Sequence, residues 1–326
     1  MSLNKNSHEI NAIYALYHKL LAVITDAVFI LKVTSDLRFQ YIEFNAACSK
    51  MLNCNIDDMR EKYFEDVLPE SLYTKFNAQC RKCIQLGETI TVEEEIEFPI
   101  GLQYLYTTLV PIRNNENNIV KIIGVARNIT EVKLREKTRR DSLEETLKAL
   151  AHLIEEHDPY TANHEKKVAE LAIKIGRKFT ADTERLHWLY LAGIVHDIGK
   201  IRVPLEILTS PNKLLKPEMD LIRLHPEVGY NVLKHINFPY SIAEIVRQHH
   251  EFLDGSGYPR GLRKDAILLE AKIITVADIV SAMITQRPYH PALDIQVALD
   301  QIQSMRGKQL DERVVDACVE LFKHDN

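Results

Sequence analysis

The stretch Leu186-His187-Trp188-Leu189-Tyr190-Leu191-Ala192-Gly193-Ile194-Val195-His196-Asp197-Ile198-Gly199-Lys200 decides how the second half of this chain folds. Its apolar residues, Leu189, Leu191, Ala192, Ile194 and Val195, read as a buried helix over Leu186–Ile198, ending in the polar pair His196-Asp197 and then Gly199. Alone the pair says little, because adjacent residues point to different sides of a helix. A buried helix that delivers an imidazole and a carboxylate at its C-terminal end nevertheless has little structural reason to do so without a cation, since an uncompensated buried charge is expensive. Lys200, one turn after His196, adds a positive charge suited to a phosphate oxygen.

Five more residues join this pair: His164, His225 in Leu224-His225-Pro226-Glu227, His249 and His250 in His249-His250-Glu251, and Asp278 in the apolar run Ile273 to Ile279. His164 follows the helix start Asp158-Pro159 and shares a face with Val168, Leu171 and Ile175. By itself such a histidine is more often a core or boundary residue than a ligand. Imidazole and carboxylate together suit borderline divalent metals, and no cysteine lies among them, which argues against a structural zinc site. Seven such ligands are too many for one hydrolytic metal and suit two that share a bridging carboxylate. The pattern is that of a binuclear metallohydrolase.

Composition sets the frame. The 326 residues suffice for two domains, and 46% hydrophobic with 27% charged residues is globular composition. A net charge of −5 and the lack of a basic stripe with interleaved aromatics exclude long nucleic acid as the expected partner. The five cysteines have no framework spacing and fit a reducing compartment. Cys80-Arg81-Lys82-Cys83 is a lone pair, read as two ordinary thiols. No signal peptide is visible, and the most apolar stretch, Leu20 to Leu31, contains Asp26 and is too short to span a bilayer, which needs ~20 apolar residues. A cytoplasmic protein with no membrane partner is expected.

Residues 1–21 read as an N-terminal helix and 22–130 as an α+β domain. Strand-like runs at Ala27–Val33, Phe39–Phe44, Thr89–Phe98, Gln103–Ile112 and Ile119–Asn128 predict a five-stranded antiparallel sheet. Helices are expected around Asn45–Leu52 and Ser71–Leu86, and hairpin turns at Gly101 and Asn114–Asn118. Residues 131–157 lack Gly and Pro and form a helical linker with a stripe of Leu143, Leu147, Leu150 and Ile154. That stripe fits either an amphipathic helix packed on the next domain or a signalling helix that pairs two subunits. The remainder, 158–326, shows no strand alternation and predicts an all-α domain, with helices near 159–179, 183–198, 217–235, 240–250, 269–285, 294–305 and 311–323.

The first half resembles the PAS sensor family. The likeness is carried by Tyr41-Ile42-Glu43-Phe44-Asn45-Ala46-Ala47, by Val110-Pro111-Ile112, and by the exit Ile123-Gly124-Val125-Ala126-Arg127-Asn128-Ile129-Thr130. Asn128 stands where the family usually has Asp. No residue identifies the ligand of this domain: His8 and His18 precede the sheet, and Cys48 lies in no flavin-photosensor motif.

The second half resembles the HD phosphohydrolase superfamily through His164, His196-Asp197 and Asp278. Within it the HD-GYP subfamily is matched by His225, His249-His250-Glu251 and Asp254-Gly255-Ser256-Gly257-Tyr258-Pro259, with Asp158-Pro159-Tyr160-Thr161, Ala277-Asp278 and Arg287-Pro288-Tyr289 in agreement. The resemblance implies a PAS-regulated phosphodiesterase that hydrolyses cyclic di-GMP to pGpG, with further cleavage to GMP left open. It implies that His164, His196, Asp197 and Asp278 hold one metal and that Asp197 bridges to a second held by His225, His249 and His250. Asp197 and Lys200 are then the catalytic residues, and Lys200, Arg287 and His290 contact substrate. Iron or manganese is the expected metal, with zinc or nickel as alternatives.

Some members add a third metal through a Glu one turn before the first histidine. Tyr160 takes that place here, so two metals are expected. Glu251 reads either as the orienter of a ligand histidine or as a solvated side chain. The Gly257-Tyr258-Pro259 loop makes a tight turn, and the resemblance adds a surface for a GGDEF-type diguanylate cyclase; a homodimer is also expected. Two other functions compete: a phosphohydrolase for a hybrid cyclic dinucleotide, and a non-catalytic cyclic di-GMP receptor, which usually goes with lost ligands.

Overall fold

A computed structural model describes residues 2–55, 59–98, 101–157, 163–210, 212–285 and 292–323, and the chain divides into two compact units, 1–139 and 140–326. Asp158, Pro159, Tyr160, Arg287 and His290 lie outside the described residues.

In the first unit, helix α1 (Ser2–Val23) leads into β1 (Ala27–Val33) and β2 (Phe39–Phe44). Three helices follow, α2 (Ala46–Leu52), α3 (Phe64–Val67) and α4 (Glu70–Leu86), and then β3 (Ile90–Phe98), β4 (Gly101–Arg113) and β5 (Ile119–Asn128). All five strands are antiparallel, as the sequence predicts, and their order in the sheet is β2-β1-β5-β4-β3. The connection from β4 to β5 turns on Asn114, whose Oδ1 accepts from the backbone of Glu116 and Asn118 at 3.0 and 2.9 Å. Alternation buries one face of each strand, and Phe29, Phe39, Tyr41, Phe64 and Phe76 form the aromatic centre of the core. Cys80 and Cys83 are free, buried thiols within it. At the exit Asn128 accepts from Thr130 N at 2.9 Å and so caps the following helix without a charge.

That helix, α5 (Thr130–His157), ends in the second unit. Leu147 and Ile154 are fully packed in the helical core there, with Leu143 and Leu150 against it. This stretch of the stripe packs on the helical core of its own unit, while Val132, Leu134 and Leu153 of the same helix are exposed. Helices α6 (His164–Gly176), α7 (Thr183–Val195), α8 (Leu205–Leu208), α9 (Lys216–Ile222), α10 (His225–Leu233), α11 (Ile242–Gln248), α12 (Leu269–Ile284), α13 (Ile295–Met305) and α14 (Glu312–Lys323) complete an all-α unit. A 3₁₀ turn, Ile198–Arg202, follows α7. None of the named strands lies in this unit, and among the described residues no helix is long and apolar enough to cross a membrane.

One boundary departs from expectation in a way that matters. The single helix expected over 217–235 is two, α9 and α10, broken at Arg223-Leu224. Pro226 has no N–H to give the carbonyl of Ile222 four residues back. That carbonyl instead receives Nδ1 of His225 at 2.8 Å. The predicted helix over 183–198 likewise ends at Val195, so the His196-Asp197 pair forms the turn after it.

Candidate metal centre

The helical unit brings all seven expected ligands together, in two groups. Asp197, His225, His249 and His250 form one, and His164, His196 and Asp278 the other, with potential ligand atoms within 4.8 Å of one another in each group. The two groups meet at Asp197. Its Oδ1 lies 3.1 Å from His225 Nε2 and 3.9 Å from His249 Nε2, while its Oδ2 lies 3.5 Å from His196 Nε2. One carboxylate therefore presents one oxygen to each group.

Helix ends supply the histidines. The last carbonyls of a helix have no partner within it. His196 follows α7, His225 follows α9 and His249 follows α11, and each bonds Nδ1 to the carbonyl three residues earlier: Gly193 at 2.7 Å, Ile222 at 2.8 Å and Val246 at 2.6 Å. A carbonyl can only accept, so in each ring Nδ1 carries a proton and Nε2 is left directed to the centre. His164 is fixed differently, by two residues of α12: Ser281 Oγ at 3.1 Å from Nδ1 and Asp278 Oδ1 at 3.0 Å from Nε2.

Two close approaches seat these parts. A Cβ on Gly199 would stand 1.9 Å from the His225 carbonyl oxygen, so only glycine lets α10 press onto the 3₁₀ turn and carry His225 to Asp197. A Cβ on Gly257 would stand 2.4 Å from the His250 carbonyl oxygen.

The residues fit a divalent metal. The Nε2 of His196 is buried without a hydrogen bond, and the Nε2 atoms of His225 and His249 lie 3.2 Å apart. Burial, reinforced by the neighbouring histidines, holds His249 well below its ordinary value, and burial lowers His250 to about 3. Both are neutral ligands at physiological pH. Burial works against ionisation of Asp197, but Lys200, His196 and His225 overcome it and keep the carboxyl well below the usual range. Asp278 is likewise lowered against the opposition of burial, chiefly through His164. Five imidazoles and two carboxylates are a donor set suited to borderline divalent cations.

Lys200 reaches the centre by bonding Nζ to Asp197 Oδ2 at 2.5 Å. Tyr258 stacks on His250 with centroids 4.8 Å apart, and the Arg223 guanidinium lies 5.6 Å from the Tyr258 ring. Burial, with the charges of Asp197 and Asp278, pushes the Tyr258 hydroxyl upward, so it is a donor at neutral pH. Glu251 fits neither role expected of it. It is buried and accepts from Arg260 N at 2.7 Å and Leu262 N at 2.8 Å, which clamps the loop bearing Tyr258.

Sequence reasoning missed Glu165. It is buried beside His164, neither carboxylate oxygen has a hydrogen-bond partner, and burial followed by the charge of Asp197 raises it to about 7. A carboxylate adjacent to His164 on an otherwise apolar helix face was the available signal.

Fold and site together define a helical domain with a histidine–aspartate centre for divalent metal, preceded by a PAS fold. Residues 148–314 match the HD domain family, and residues 21–134 match the PAS fold family. The protein belongs to the HD-domain family, with the HD-GYP members that carry an N-terminal PAS domain. It is similar to the cyclic di-GMP phosphodiesterase response regulator RpfG of Xanthomonas campestris pv. campestris, at 38% identity over 53% of this chain and 46% of that protein. A cyclic di-GMP phosphodiesterase of Thermotoga maritima is 31% identical over 74% of this chain and 68% of its own length. The 3'3'-cGAMP-specific phosphodiesterase 1 of Vibrio cholerae is 28% identical over 80% of this chain and 61% of its own length. The chain thus spans between 46% and 68% of these three relatives.

Proposed function

We propose that the helical unit hydrolyses cyclic di-GMP to pGpG at two divalent ions, with iron or manganese as the metal, under control of the PAS unit and in the cytoplasm. The observation that carries this reading is the division of Asp197 between two histidine groups. Bound ions would supply Lewis-acid stabilisation of a phosphodiester and make water acidic enough to attack it near pH 7. His164, His196 and Asp278 would hold one ion and His225, His249 and His250 the other, with Asp197 between them. Tyr160, in place of the Glu that serves a third metal, supports two ions.

The chain's own groups do the rest. Lys200 can swing its ammonium from Asp197 to a non-bridging phosphate oxygen and offset the charge that grows there. The Tyr258 ring and the Arg223 guanidinium offer a stacking surface and a cation beside the ligands, as a cyclic dinucleotide requires. Arg287 and His290 are proposed as further phosphate contacts. The Gly257-Tyr258-Pro259 loop is the proposed docking surface for a GGDEF-type cyclase. A homodimer is supported by exposed Ile13, Leu16, Leu20 and Val23 on α1, spaced as one coiled-coil seam.

Protein reconstituted anaerobically with Fe(II) or Mn(II) should convert cyclic di-GMP to pGpG, separated by chromatography. Asp197→Ala should abolish turnover and retain the helical circular dichroism spectrum. A hybrid cyclic dinucleotide is the second reading, favoured by the likeness to a 3'3'-cGAMP-specific relative. Turnover of that substrate alone would select it, and binding without turnover at full metal loading would select a receptor.

A further inference from the structure

We propose that the helical unit holds a small uncharged aromatic effector in a cavity between the first halves of α7, α11 and α12. The binding is independent of the metal centre; the effector role rests on the metal centre proposed above.

The cavity has a volume of about 100 Å³, and its apolar wall is Trp188, Leu189, Tyr240, Ile245 and Leu268. That is the scale of the ~150 Å³ at which an apolar cavity accepts benzene. The Trp188 and Tyr240 rings lie 6.5 Å apart between centroids with 34° between their planes, and Phe238 braces the indole edge-on at 6.2 Å. Two such faces favour a flat ring over a saturated one, because offset stacking adds to apolar burial.

Polar groups select the rest of the ligand. The charged residues lining the cavity are Arg185 and Glu270, and their ion pair at 2.6 Å leaves no net charge for an ionic ligand to meet. The Nε1 of Trp188 is buried without a hydrogen bond. Ser241 also lines the cavity and is the N-cap residue of α11, yet its side chain makes no capping bond. A serine there ordinarily accepts from the first turn. A ring bearing one hydroxyl matches a lone N–H and a free hydroxyl.

Position makes a ligand here consequential. Trp188 precedes His196 by about 12 Å along α7, Ile245 precedes His249 by about 6 Å along α11, and Glu270 precedes Asp278 by about 12 Å along α12. A ligand that orders these three helices therefore bears on His196, His249 and Asp278 without touching them.

Trp188 is the single tryptophan of the chain, so its fluorescence reports the cavity directly. The test titrates the metal-loaded full chain with benzyl alcohol, against sodium benzoate for charge and cyclohexylmethanol for flatness. Benzyl alcohol should change the emission saturably, with both controls at least about fivefold weaker. Ser241→Ala should raise its Kd about fivefold, the worth of one hydrogen bond, and Tyr240→Leu about tenfold. Ser241 is exposed and Tyr240 half-buried, so both variants should keep the wild-type circular dichroism spectrum. Isothermal titration of metal-free protein with Mn(II) should show metal affinity shifted by at least about fivefold once benzyl alcohol is saturating. No saturable change, equal affinity for either control, or unchanged affinity in both variants overturns the site. Unchanged Mn(II) affinity in protein that holds benzyl alcohol overturns the effector role. Failure to take up Mn(II) overturns the metal centre and the effector role with it, but not the binding.

Discussion

The Nε2 atoms of His225 and His249 face one another at 3.2 Å while the Nδ1 atom of each donates to a backbone carbonyl. Both nitrogens, with Asp197 Oδ1 3.1 Å from His225 Nε2, would be satisfied together by one cation. Divalent metal should therefore stabilise the helical unit, by ~4 kcal/mol at a thousand times Kd for one site. Calorimetry with and without Mn(II) measures this. An unchanged Tm in the presence of bound metal would contradict the geometry.

His249→Ala should cut bound metal by one ion per chain, because it strips one group while leaving His164, His196 and Asp278 in place. Plasma mass spectrometry of the purified variant gives the count. Retention of both ions would assign His249 a purely structural role.

Acid should weaken the metal-free protein through His250. Its folded pKa, about 3, lies below the unfolded value of 6.5, so the unfolded chain binds the extra proton between them. The stabilising contribution is complete above pH 6.5 and lost as pH falls toward 3. Urea midpoints from pH 7.5 to 4.5 should drop for the wild type and drop less for His250→Gln.

Glu165 should act in the opposite sense. Its folded pKa, about 7, lies above the ordinary 4.5, so in the metal-free protein its contribution is complete below pH 4.5 and lost as pH rises through 7. Glu165→Gln should raise metal-free stability at pH 8 by on the order of 2 kcal/mol and change it little at pH 4.5. Paired urea titrations at the two pH values decide this.

Gly199→Ala should separate α10 from the 3₁₀ turn, because the new methyl meets the His225 carbonyl. A loss of ~1–3 kcal/mol is expected from overpacking. The group containing His225 should bind metal more weakly, which isothermal titration with Mn(II) reads separately from stability.

Much of this protein was legible from local chemistry. The alternation of β1 to β5 announces the sheet because burying one face of a strand imposes a period of two. The ligand residues stand out because buried imidazole and carboxylate have few uses without a cation. What the sequence could not decide depends on partners distant along the chain. The oxygen that Asp197 shows to each group is set by helices ending at Val195, Ile222 and Gln248, which the sequence does not align in space. Glu251 reads as a neighbour of ligands, and only the folded loop makes it a clamp for Arg260 and Leu262. Gln79 and Thr107 look ordinary in sequence, and their missing partners emerge only when α4 lies over β4. Period and residue type are local and survive in the sequence, whereas hydrogen-bond satisfaction is a property of the assembled core.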